Sequence, residues 1–298
     1  MSMSSSELKY LPSNKAIILE NITCIYCGCN LKDNSENTKE HVIGRRFVPK
    51  GSLDGWWNLI LRACTKCNSI KSNLENDISA ITLVWKTWLN SSNANESEIK
   101  EACRKSQNSI SNKTRKPVIK SKEKLKIEIS NIPGLNLAFN TVAPPQLDEM
   151  RIYDLARLQL MAFFYFITYD ETLKRGYYWE DGFHPLAFAL HSDWGNELQK
   201  SFMEEVVNWE PRFVCDTANG YFKLIIRKHP DAKCWSWAIE WNKSCRVVGF
   251  FGSREVAQKF VDNFIPSQLK WLKPRNDVDI GFRSEVKLYS EDDILFKC

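Results

Sequence analysis

Apolar residues recur at spacings of four and three along Ile70, Leu74, Ile78, Ile81, Trp85 and Trp88. This is the stripe of one long helix over residues 65–89. A second helical pattern runs from Leu147 to Tyr169, with Arg151, Asp154 and Arg157 on one face. A third covers Asn196–Val207, and a fourth Ser253–Phe264, with Ser253 placed as N-cap. Between these lie β-like runs at Arg212–Cys215, Tyr221–Lys228, Cys234–Trp241 and Arg246–Phe251. Asn219-Gly220 and Asn242–Ser244 mark turns between them. Trp235, Trp237, Ile239 and Trp241 alternate and so share one strand face, read as core, with base stacking as the alternative.

The pattern predicts an α+β protein in four segments. Residues 1–18 form a Ser-rich flexible lead, and 19–90 a small unit dense in Cys, His, Asn, Gly and Trp. Residues 91–145 read as a polar and basic linker or arm, and 146–298 as a separate α+β domain with a small antiparallel sheet. The chain's 298 residues suffice for two cores. Its formal net charge of +5 is too small to argue for a polyanionic partner by itself. The distribution says more, because Lys and Arg far outnumber acids between Lys100 and Lys126. That stretch is either a solvated link or an arm that tracks phosphates. The N-terminus lacks the apolar core of a signal peptide. The longest apolar run, Leu158–Tyr169, falls short of the roughly 20 residues that span a bilayer. A cytoplasmic protein with no membrane partner is expected.

In a reducing compartment the ten cysteines are not a disulfide framework. Cys24-x-x-Cys27 and Cys64-x-x-Cys67 are two knuckles that together make a tetrahedral four-cysteine site for structural Zn2+. Cys29 is a less well spaced substitute for Cys27, and buried thiols or a redox pair are the alternative use. Some 70 largely polar residues bury little apolar surface, and a structural zinc supplies on the order of 10 kcal/mol to such small units. Four thiolates leave no open position for chemistry at that ion.

Between the knuckles lie Glu40-His41 and Asn58-Leu59, and directly after Cys67 come Asn68 and then Lys71. This order resembles the HNH endonuclease superfamily over roughly residues 22–78. Gly44 stands where many relatives have Pro, and Asn68 where the signature has a third His. The resemblance implies a ββα-metal, treble-clef-like unit. One strand would lie near Thr38–Ile43, another near Leu59–Arg62, and a helix would begin at the second knuckle. Asn68 sits about 200° around that helix from Ile70 and is free to face a site.

By the resemblance, His41 is the general base, with an intrinsic pKa near 6.5 suited to deprotonating water. Glu40 and Asn68 are oxygen ligands for a catalytic Mg2+ or Mn2+, and Asn58 fixes the His-bearing loop. Arg45, Arg46 and Lys71 would neutralise phosphate. Asn73 is a substitute ligand, and His184, His191 and His229 read as structural or surface residues. The implied activity is hydrolysis of double-stranded DNA to 5′-phosphate and 3′-hydroxyl ends, in a setting like that of bacterial phage-defence or restriction nucleases. The C-terminal domain would then target or regulate the nuclease and dock other proteins of a defence system. The rival readings are a zinc-ribbon nucleic-acid-binding module without catalysis and an RNA-cleaving, toxin-like nuclease.

Overall fold

The computed structural model describes residues 15–31, 37–54, 58–88, 94–132, 135–264, 270–272, 280–282 and 284–298. Most of the lead expected over residues 1–18 lies outside them. The first sheet has three strands: β1 (Ile17–Ile18), β2 (Asn37–His41) and β3 (Leu59–Cys64). β3 lies in the centre, parallel to β1 and antiparallel to β2, with His41 opposite Ile60 and Lys39 opposite Arg62. The chain passes from β3 directly into α1 (Thr65–Trp88).

α1 bears out the periodicity from Leu74 onward. Leu74, Ile78, Ile81 and Trp85 are buried, whereas Ile70 is 49% exposed. Every residue from Asp77 to Thr87 is buried. An amphipathic stripe is therefore too narrow a description of this half of the helix, which is packed on all sides.

α2 (Glu96–Asn108) lies in the stretch that composition marks as polar and basic. Asn95 accepts from the Glu98 amide and Glu98 accepts from the Asn95 amide, a capping box that fixes the first turn. α2 packs on α1, and Lys105 turns inward. β4 (Glu123–Ile132) and β5 (Leu135–Ala143) then form an antiparallel pair.

α3 (Glu149–Ile167) starts at Asp148, whose carboxylate accepts from the amides of Met150 and Arg151. It lies on a five-stranded antiparallel sheet of order β6-β10-β9-β8-β7. Those strands are β6 (Gly182–Leu190), β7 (Glu210–Thr217), β8 (Phe222–Lys228), β9 (Cys234–Trp241) and β10 (Cys245–Gly252). Phe163 meets Phe213 and Phe222, and Phe164 meets Trp235 and Phe251, at ring separations of 5.0–6.0 Å. The other sheet face is covered by α4 (Glu197–Val206) and α5 (Arg254–Asn263), where Phe202 and Phe260 pack on Phe250. Two short strands, β11 (Lys270–Leu272) and β12 (Ile280–Phe282), pair near the C-terminus. β9 is buried along almost its whole length, which accounts for its Trp face as core.

Packing crosses the boundary expected near residue 145. One buried cluster contains Cys24, Val42, Ile78, Trp85, Phe163 and Trp241. The three-residue turn between β9 and β10 has positive φ at Asn242 and Lys243, the geometry of a tight hairpin. It is seated on α1, where Asn242 Nδ2 donates to Thr82 Oγ1 at 2.8 Å and Ser244 Oγ to the Thr82 carbonyl at 2.7 Å. Trp85 Nε1 donates to the Pro145 carbonyl at 2.9 Å. Arg151 pairs with buried Asp77 at 2.8 Å. No helix among the described residues is long and apolar enough to cross a membrane.

Candidate active site

The knuckle at Cys24 is closed by the Gly28 amide donating to the Cys24 carbonyl, with Gly28 at φ +73° making the reversal. Cys64 ends β3 and Cys67 stands in the first turn of α1. The four Sγ atoms of Cys24, Cys27, Cys64 and Cys67 lie within 4.8 Å of one another. Cys64 Sγ is 3.8 Å from both Cys24 Sγ and Cys27 Sγ. Zn–S bonds of about 2.3 Å in a tetrahedron give an S···S edge of about 3.8 Å, whereas a disulfide needs about 2.05 Å. All ten cysteines are free. The donor set therefore fits a structural metal such as zinc, and Cys29 is not one of the four.

His41 is the last residue of β2 and is partly exposed. Its Nε2 is shut from solvent and has no hydrogen-bond partner among the described residues. Burial, and then the Arg45 guanidinium, hold its pKa below the usual 6.5. The imidazole is thus neutral at pH 7 and able to take a proton.

The backbone after His41 is pinned by side chains from several directions. Asn58 Nδ2 donates to the Ile43 carbonyl at 2.9 Å, and Asn58 Oδ1 accepts from the Ile43 amide at 3.4 Å. Lys71 Nζ donates to the His41 carbonyl at 3.2 Å. The Gly44 amide donates to Glu75 Oε1 at 3.2 Å. A Cβ at position 44 would run into the Glu75 carboxylate, and a proline there would have no N–H to donate to it. Gly44 and Glu75 therefore belong together. Further along, Lys105 Nζ donates to the carbonyls of Arg46 and Val48 at 2.5 and 3.0 Å and to Ser79 Oγ at 2.9 Å. Burial lowers the Lys105 pKa to about 8.

The structure places the remaining expected residues on two different faces. In β2, Thr38 and Glu40 point toward α1, and Lys39 and His41 point away. Asn68 Nδ2 donates to Thr38 Oγ1 at 2.7 Å, so Asn68 and Glu40 share the strand–helix interface. Glu40 is 2% exposed, and its carboxylate lies 2.8 Å from Lys71 Nζ. Lys71, itself 1% exposed, also meets Glu75 at 2.6 Å. Burial alone would lower its pKa, but Glu75 and Glu40 hold it above the usual value, so it stays charged.

Lys71, Glu40 and Glu75 form one buried charged cluster. Lys71 is not presented to a phosphate, because its ammonium is buried against two carboxylates and a carbonyl. Glu40 as arranged does not fit a Mg2+ or Mn2+ ion, because a cation on its carboxylate would lie against the Lys71 ammonium. Apart from the four cysteines, no cluster of three His, Cys, Asp or Glu able to hold an ion occurs among the described residues. Arg45 and Arg46 are exposed, as a phosphate contact requires. Asn73 accepts from Arg151 at 3.2 Å instead of facing His41.

Glu75 and Lys105 carry no mark in the sequence reading, and Asn242 is marked there only as a turn residue. For Glu75 the signal was there, since it stands four residues after Lys71 on a helix. Nothing local in sequence shows that Lys105 and Asn242 reach the 46–48 carbonyls from distant elements.

No curated protein and no solved structure matches this chain. Residues 24–74 match the family model for HNH endonuclease, a span that runs from the first knuckle cysteine to the residue before Glu75. The match covers that segment alone, which is similar to HNH endonuclease domains, nuclease domains by family, and lies within a longer chain.

Proposed function

We propose that the chain hydrolyses phosphodiester bonds of DNA, with His41 as general base. The observation that carries this reading is a neutral, partly exposed His41 at the end of β2, where the backbone of residues 41–44 is held by Asn58, Lys71 and Glu75. Such bracing fixes the backbone from which the imidazole projects, which favours proton abstraction from a positioned water. In the reaction His41 takes a proton from water and the hydroxide oxygen bonds to phosphorus. The bond from phosphorus to the 3′ oxygen breaks, and the leaving oxygen takes a proton from solvent. Exposed Arg45 and Arg46 offset charge on the phosphate. A zinc held by the four cysteines would join β3, α1 and the first knuckle, and would serve the fold alone. Glu40, paired with Lys71, is not free to hold a second ion.

That pairing also favours a second reading, a zinc-stapled module that binds nucleic acid without cutting it. The zinc-loaded full chain, incubated with supercoiled plasmid or with structured RNA, with and without Mg2+ or Mn2+, separates the readings. The nuclease reading expects DNA cut to 5′-phosphate and 3′-hydroxyl ends. Cleavage of RNA alone would move the substrate, and binding without cleavage under every condition would establish the second reading.

A further inference from the structure

The face of the β2–β3 pair turned away from α1 carries charge that the fold alone does not explain. Lys39 and Arg62 are register partners on adjacent antiparallel strands, so their side chains leave the same face side by side. Both are exposed. Like charges directly opposite each other destabilise a strand pair. Neither has an acidic partner within 4 Å among the described residues; Arg62 Nη2 donates at 2.8 Å to the neutral Asn37 side chain, which aims the guanidinium along the strands. His41 follows Lys39 by two residues on that same face, about 6.8 Å further along the strand. At the other end, Asn37 lies opposite the zinc-knuckle cysteine Cys64.

We propose that Lys39 and Arg62 form a phosphate-binding strip that holds the nucleic-acid backbone beside the scissile phosphate at His41. The inference deepens the nuclease reading and rests on it for the identity of the occupant. An unneutralised cation pair is costly in the free protein and favourable once a polyanion lies across it. The strip's place beside His41 selects a phosphodiester backbone over other anions. Lys39 and Arg45 both lie close enough to His41 to depress its pKa, so both are within reach of a group bound there. The strip supplies, from the strands, the cation that Lys71 does not offer from the helix.

The test reads binding rather than cleavage. The full chain carrying His41→Ala is titrated into a fluorescein-labelled DNA duplex, with no divalent ion added, over a range of KCl concentrations. Each phosphate contact contributes about 0.9 to the slope of log K against log salt. Lys39→Ala and Arg62→Ala should each lower the slope by about 0.9, and together by about 1.8. Lys259→Ala on α5, an equal loss of charge far along the chain, should leave it unchanged. Unfolding midpoints at or above the parent's would show that the strip variants fold. Slopes equal to the parent's, or an equal drop with Lys259→Ala, would overturn the strip while leaving the nuclease reading intact. Parent protein that binds no nucleic acid would overturn both. Weakened strip variants beside a wild type that never cuts would overturn only the nuclease reading.

Discussion

Replacing Lys71 by Met tests whether this lysine is a buried counter-ion or a surface phosphate contact. Met keeps the stem and removes the charge. Two carboxylates, Glu40 and Glu75, then remain with side chains 2% and 13% exposed and no cation. Breaking a buried ion pair from one side costs about 3–5 kcal/mol. The two acids do not double that figure, because Glu75 retains some solvent. Burial already pushes the Glu75 carboxyl up, against the pull of Lys71, so removing Lys71 raises it further. An acid whose folded pKa is above its unfolded one loses stability as pH rises through the folded value. The variant's deficit should therefore be small near pH 5 and full near pH 8. Urea unfolding followed by the fluorescence of the eleven tryptophans, at both pH values, reads it directly. A loss under about 1 kcal/mol at pH 8, for a variant that binds DNA more weakly, would refute the reasoning and restore Lys71 as a phosphate ligand.

Changing Cys64 and Cys67 together to Ser should take bound zinc from one per chain to none by elemental analysis, and should expose residues 24–74 to protease. The rate should hold level through pH 7 and fall only below pH 6.5, where His41 gains its proton. Arg45→Ala removes one cause of the depressed pKa, so its acid limb should move to higher pH; an unmoved limb would mean that Arg45 does not face the ring. Asn58→Ala leaves the Ile43 amide and carbonyl unpaired at a cost of about 1–3 kcal/mol. Its turnover should fall well below what the remaining folded fraction explains, and a rate proportional to that fraction would reduce Asn58 to a structural role.

The elements legible in the sequence were those with a strict period or a chemically specific spacing. β9 and α3 announced themselves by alternation and by a long apolar run, and the knuckles by paired cysteines. β6 escaped notice because Pro185 interrupts it. The structure accommodates that proline on an edge strand, beside a register shift opposite Val248/Gly249. α2 was hidden by composition, since few of its residues are both apolar and buried. Its capping box, Asn95 with Glu98, was the local signal. At the site, His41 and Asn58 could be picked out by motif, but which way Glu40 and Lys71 point is a tertiary fact. Strand alternation puts Glu40 on the face opposite His41, and only packing shows that the helix side of that face is closed to solvent. The role of the 241–244 turn, which reaches back to α1, was equally out of reach, because the contact spans some 160 residues.

The proposed function stands or falls with the imidazole of His41. Its most direct test compares cleavage of supercoiled plasmid by the wild-type chain and by His41→Ala, both zinc-loaded and both checked for equal unfolding midpoints. The wild type should yield nicked or linear DNA with 5′-phosphate ends, and the variant, which still binds DNA, should leave the plasmid intact. Cleavage by the variant at the wild-type rate would place the chemistry elsewhere and contradict the proposed function.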